Sequence, residues 1–385
     1  MHANISFGID QFLLKGEAYK HVRIAFVTNN AATTSNGILS RVALLNNQFK
    51  LVKLFSPEHG ISVKGDDGAK QQNITDALTG LPVISLYGAK MRPAEEDLCD
   101  IDMVLFDIPD IGCRFYTFLW TMTYVMEACA AYNKPFMLLD RPNPIGALLE
   151  MAEGPMLDEK HCSSFIGRWN IPLKHACTLG ELALYFSATR LPSLQIEVLR
   201  VKNYSRQQTA LHDYTFIPTS PAIQNINSAM LYPGTGLLEG LMVNEGRGSN
   251  KPFEQFGAPW IREEELCEAL SDRIKHAEVT PVQYIPVSGQ YANELCNGVS
   301  LSIIDPAKFK AVSTGIAILQ TLIQLFPKET KERLYITNAN PGGGKHLDKL
   351  LGCENALKRM QQEYLLEIDI SEGWKQIIQP YLLYS

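Results

Sequence analysis

Between residues 22 and 139 the chain alternates short runs of branched and aromatic residues with helix signals, and this alternation constrains the fold more than any other feature. Residues 22–28 (VRIAFVT), 51–55, 82–86, 102–106 and 134–139 read as strands. Residues 33–35 can cap a helix over 37–47, and a long apolar helix is expected over 115–132. Apolar strands separated by helices belong to a parallel, doubly wound sheet with both faces covered. Thr178 and Glu181 form a capping-box pattern that opens a helix over 178–189, which gives Glu181 a capping role; 195–201 reads as one more strand.

The character of the chain then changes. Residues 205–260 are rich in Pro, Gly, Asn and Ser with little periodicity, and a stretch that long without regular structure usually carries function. Helix (262–276), strand (299–304), helix (307–325) and a last helix opened by Ser371 follow. With 385 residues the chain is too long for one ordinary core, so two units are expected, 1–215 and 216–385.

The net charge of −6 offers no basic face to nucleic acid or anionic lipid. No apolar run reaches the roughly 18 residues of a membrane span. The first twenty residues lack a basic segment followed by an apolar one, so no leader is expected. The sequence as given therefore reads as cytoplasmic, or as periplasmic or secreted if a leader was removed. The eight cysteines form no CxxC pair and read as buried, reduced thiols. No group of residues has credible metal-ligand spacing, so neither a metal nor another cofactor is expected.

Ligands of open parallel sheets bind beyond the carboxyl ends of the strands. Four strand ends deliver polar residues to that rim: Asn29 after the first, Glu58 and His59 after the second, Asp107, Asp110, Arg114 and Tyr116 after the fourth, and Asp140 and Asn143 after the fifth. Plainer roles stand beside these. Asp107 and Asp110 could cap the following helix, Arg114 could pair with Asp140, and DRPNP could be a rigid turn. Glu58-His59, between Pro57 and Gly60, fits no stock turn. A second cluster holds Glu239, Glu245 and Arg247 among glycines that permit close backbone approach, with a surface ion pair as the plain alternative. His175 either faces the same cleft or packs.

Other motifs fail. No GxGxxG follows the first strand, which removes the cradle a dinucleotide-dependent oxidoreductase needs. The run from Gly342 to His346 lacks the rest of a phosphate loop and reads as a flexible loop. Neither HExxH nor GxSxG occurs.

The segments SPEHG (56–60), LPVISLYG (81–88), FDIPDIGCRFYT (106–117), LDRPNPIG (139–146), EGP (153–155), SSFIGRWNIPLKHACTLGELA (163–183), LYPGTGLLEG (231–240), NEGRGSNKPFEQFGAPW (244–260) and YLLY (381–384) occur in the order of one family. With them the chain resembles the exo-β-N-acetylmuramidases of the NamZ family, formerly a domain of unknown function. It departs from the family pattern at Pro109, Ala222, Gly236 and Ser249-Asn250-Lys251. The resemblance implies a Rossmann-like N-terminal domain, a smaller C-terminal α/β domain and an active-site cleft between them. It also implies release of terminal non-reducing N-acetylmuramic acid from peptidoglycan fragments, in wall recycling or scavenging. The alternative is a muropeptide- or sugar-binding protein of the same fold without catalysis.

Glycoside hydrolysis needs an acid on the leaving oxygen and stabilisation of an oxocarbenium-like state. Glu58 is the expected acid, Glu245 the second carboxylate and Glu239 its reserve. The 2-acetamido group could itself replace a protein nucleophile, with Asp110 or Asp140 orienting it. Arg114 and Arg247 are candidates for the lactyl carboxylate, since guanidinium binds carboxylate bidentately. Tyr116, Asn143 and His175 would bond sugar hydroxyls.

Overall fold

The computed structural model describes residues 5–385 apart from 66–67, 69–72, 208–214, 338–339, 363 and 365. Its strands are β1 (Ile24–Thr28), β2 (Leu51–Ser56), β3 (Ile74–Thr75), β4 (Pro82–Ser85), β5 (Met103–Asp107), β6 (Phe136–Leu139), β7 (Glu153–Met156), β8 (Pro172–Lys174), β9 (Ile196–Leu199), β10 (Gln255–Ala258), β11 (Ala277–Tyr284) and β12 (Cys296–Ile303). Seven of them form the main sheet in the order β3-β4-β2-β1-β5-β6-β9, parallel except for β3. The expected doubly wound sheet is therefore present. Its strand order reverses about β1, which pairs with β2 on one side and β5 on the other. In register Val27 lies beside Phe55 and Phe106, so the loops after β1, β2 and β5 leave from one edge.

Local chemistry explains several elements. All five residues of β1 are buried, as a central parallel strand requires. Helix Phe118–Ala131 is apolar nearly all round and buried along most of its length. Thr178 caps helix Leu179–Arg190: its hydroxyl accepts from the Glu181 N–H, and Glu181 accepts from the Thr178 N–H at 3.0 Å. The same glutamate pairs with Arg206.

The second half holds the antiparallel sheet β10-β12-β11. Here the sequence reading misses several elements, and two of them show why. Residues 226–235 form a helix despite Pro233 and Gly234. β11 contains Pro281, a residue that edge strands tolerate. The helix is fixed from outside. It crosses helix Ala311–Leu325 so closely that a Cβ on Gly234 would lie 2.1 Å from the Ala311 carbonyl oxygen. A Cβ on Gly315 would lie 2.5 Å from the Gly234 oxygen. Gly315→Ala is therefore expected to lower stability by about 1–3 kcal/mol through overpacking. Denaturant unfolding with an unchanged midpoint would show that the crossing has slack.

The interval expected to hold the domain boundary, around residue 215, is only partly visible, because 208–214 lie outside the described residues. The final residues turn back onto the first half. Trp374 Nε1 donates to the His175 carbonyl at 2.8 Å, and Tyr384 Oη donates to Asp140 Oδ2 at 2.6 Å. The Leu383 N–H donates to Glu181 at 3.0 Å. None of the eight cysteines is disulfide-bonded; most are buried, but Cys99 is exposed and Cys267 half-buried.

Candidate active site

A narrow pocket of about 60 Å³ lies beyond the ends of β2, β4 and β5. Glu58, His59, Tyr87, Tyr116 and Thr117 enter it from the first half, and Glu239, Arg247, Phe253, Tyr335 and His346 from the second. It meets a wider groove of about 710 Å³ that shares His59, Ser220, Arg247, Tyr335 and Thr337 and adds Glu245 and Arg333. Among the described residues, no helix is long and apolar enough to span a membrane and no group of acidic, His or Cys residues is placed to hold a metal.

Glu58 follows β2 and is 4% exposed. Its carboxylate accepts from the Thr117 hydroxyl at 2.6 Å and the Gly68 N–H at 2.9 Å. Both bonds fix its orientation. His59 has φ 64°, a left-handed conformation unusual for a residue with a side chain. Its Nδ1 lies 2.7 Å from the Gly65 carbonyl oxygen. An atom facing a carbonyl must carry the hydrogen, so the neutral ring keeps its lone pair on Nε2.

Across the pocket, Glu239 sits on the 3₁₀ turn Gly236–Gly240, which directly follows the helix over 226–235. Arg247 bridges two carboxylates, reaching Glu239 at 2.6 Å and Glu245 at 3.1 Å. Its guanidinium also lies 4.8 Å from the centre of the Phe253 ring. Arg333 approaches Glu245 at 3.5 Å. His346 stacks on Tyr335 at 4.3 Å with the rings nearly parallel, and its Nε2 lies 3.5 Å from Glu239.

Seven of the expected site residues are placed elsewhere. Arg114 is fully buried and donates to the carbonyls of Pro155, Ile171 and Leu350, so it does not face the cleft. Burial lowers its pKa to about 10. Nor does it pair with Asp140, which accepts instead from Thr178, Gly180 and Tyr384 beside the helix N-terminus. Burial pushes Asp140 up to about 6. Asp107 binds Arg141 through both oxygens, at 2.5 and 2.9 Å. Asn29 accepts from the Ala31 N–H, and Asn143 bridges Cys177 and Ile145. Asp110 accepts from the Gly112 N–H and lies 3.5 Å from the buried His175, beside a separate chamber of about 390 Å³. Tyr116 does line the pocket, with its hydroxyl donating to Thr219 at 2.6 Å.

The sequence reading also misses a whole wall, formed by Arg333, Tyr335, Thr337, Asn340, His346 and Lys349. The run expected to be a flexible loop instead leads into helix His346–Leu351, whose first residue is 4% exposed. The available signal was the one His within that glycine run, followed by apolar residues at helical spacing. Of the departures from the family pattern, Ala222 and Ser249 line the outer groove and Pro109 the separate chamber. At Gly236, a Cβ would lie 2.8 Å from the Phe115 ring, so glycine lets that ring form the pocket wall.

A doubly wound sheet whose rim carries a buried carboxyl, facing further carboxylates across an aromatic-walled cleft, is the framework of a two-part α/β protein with groups suited to acid-assisted hydrolysis. The model for the N-terminal domain of exo-β-N-acetylmuramidase NamZ matches residues 24–227, and that for its C-terminal domain matches 230–384. The chain belongs to this NamZ family. It is 38% identical to the peptidoglycan β-N-acetylmuramidase NamZ of Bacillus subtilis (strain 168) over 337 residues, covering 84% of this chain and 79% of that protein. Two crystal structures of DUF1343 family proteins from Bacteroides fragilis share the fold. One has TM-score 0.88 and 30% identity over 99% of both chains. The other has TM-score 0.77 and 28% identity over 100% of this chain and 99% of that one.

Proposed function

We propose that this chain is a glycosidase that removes β-linked N-acetylmuramic acid from the non-reducing ends of peptidoglycan fragments, working in the cleft between the two parts of the chain. The observation that carries this reading is the meeting of Glu58 from the sheet rim with Glu239 from the second half in one pocket. Family membership supplies the substrate class.

In this mechanism Glu58 gives its proton to the leaving oxygen as the glycosidic bond breaks, and a water then adds to the anomeric carbon, its proton returning to the Glu58 carboxylate. Thr117 and the Gly68 N–H orient the carboxyl for that transfer. Glu239, held by Arg247, faces the positive charge that develops on the sugar ring. Glu245 holds Arg247 from the groove side, and His59 Nε2 accepts a sugar or water hydroxyl hydrogen. Residues 1–215 and 216–385 remain the proposed division of the chain.

The direct test is sugar release from a chromogenic β-N-acetylmuramide, with the matching β-N-acetylglucosaminide alongside. Release from the muramide alone is the expected result. Release from neither, by protein shown to be folded, would remove the proposal.

A further inference from the structure

The charges around the cleft are nearly all matched. Glu239 and Glu245 share Arg247, Arg333 stands near Glu245, and His346 stands near Glu239. Lys349 differs. It lines the inner pocket from helix His346–Leu351, and its Nζ donates to the neutral Asn340 Oδ1 at 2.7 Å. Among the described residues no carboxylate faces it, and burial lowers its pKa. An ammonium has three donors, so two remain for a ligand. A half-buried charge with no counter-charge is costly and becomes favourable once an anion reaches it.

We infer that Lys349 is the specificity residue that reads the lactyl carboxylate of the sugar. The inference rests on the proposed muramidase reading, since the lactyl group is what separates N-acetylmuramic acid from N-acetylglucosamine. Arg247 is less suited to that task, because turning it toward a ligand would uncover two buried carboxylates. Arg114 is walled off behind three carbonyls. Lys349 needs no rearrangement, and Asn340 holds its ammonium in place. A sugar without the carboxylate would leave that charge unmatched in the pocket, and sites built for a polar group reject analogues that lack it.

The test uses two probes on the full chain: free N-acetylmuramic acid and its lactyl methyl ester, with affinities measured by titration calorimetry. The wild type should prefer the acid by about 100-fold, the range of one charge-assisted contact. Lys349→Met should erase that gap by weakening the acid alone, and Lys349→Arg should keep much of it. Asn340→Asp retains the lysine but sets a carboxylate against it, and should also collapse the gap. Kinetics on the chromogenic muramide should show the loss mainly in KM. A Lys349→Met protein that still prefers the acid as strongly as the wild type would overturn the inference and leave the functional reading standing. A folded wild type that binds neither probe and cleaves neither substrate would overturn both.

Discussion

Glu58→Gln should lower turnover of a muramic-acid-capped peptidoglycan disaccharide by about 10³-fold or more while the protein melts within a few degrees of wild type. A general acid usually contributes 10²- to 10⁴-fold, and the amide has nearly the shape of the carboxyl but no proton of use to the leaving oxygen. The amide oxygen can still accept from the Gly68 N–H, and the Thr117 hydroxyl can rotate to accept from the new NH₂. Folding should therefore survive. A substrate with a very acidic leaving group needs little protonation, so the deficit should shrink on such a substrate. Turnover close to wild type on an ordinary leaving group would take Glu58 out of the acid role.

Arg247→Leu should be the most destabilising change in the cleft. Removing the guanidinium leaves Glu239 and Glu245, at 5% and 1% exposure, without the cation that joins them. Stripping one partner from a buried ion pair costs about 3–5 kcal/mol. The isolated contacts at 3.5 Å from His346 and Arg333 are too long to compensate fully. Denaturant midpoints should fall accordingly, and activity should be lost at temperatures where the variant is still folded. Adding Glu239→Gln to Arg247→Leu should recover part of the stability, because one uncovered charge disappears. If the double variant is less stable than the single one by the full cost of each change, the three residues do not act as a unit.

The legible parts of the fold are those fixed by local chemistry. The Thr178 capping box needs only its own four residues, and the parallel strands show as short apolar runs whatever lies beside them. The helix over 226–235 reads as irregular because Pro and Gly weigh against it locally. It exists because a neighbouring helix packs closely against that same glycine, Gly234. The rim of the sheet was equally legible, but not which of its side chains turn into the cleft. Asp107 is taken by Arg141, 34 residues further on, and Arg114 by carbonyls as distant as Leu350. Glu58, His59 and Tyr116 among the polar rim residues keep both a fixed geometry and access to the pocket. The wall from Arg333 to Lys349 is assembled wholly by tertiary contact.

The return of the final residues onto the first half links the chain's covalent order to its cooperativity. Tyr384, Leu383 and Trp374 bond to Asp140, Glu181 and the His175 backbone, all in the segment that completes the large sheet. The segment from Trp374 to Tyr384 thus supplies partners for buried groups that lie 199 to 244 residues earlier in the chain. The buried groups Asp140 and Glu181 are therefore fully satisfied only when that distant segment is in place, which couples the two parts of the chain. Nearness along the chain and structural dependence are therefore decoupled in this molecule.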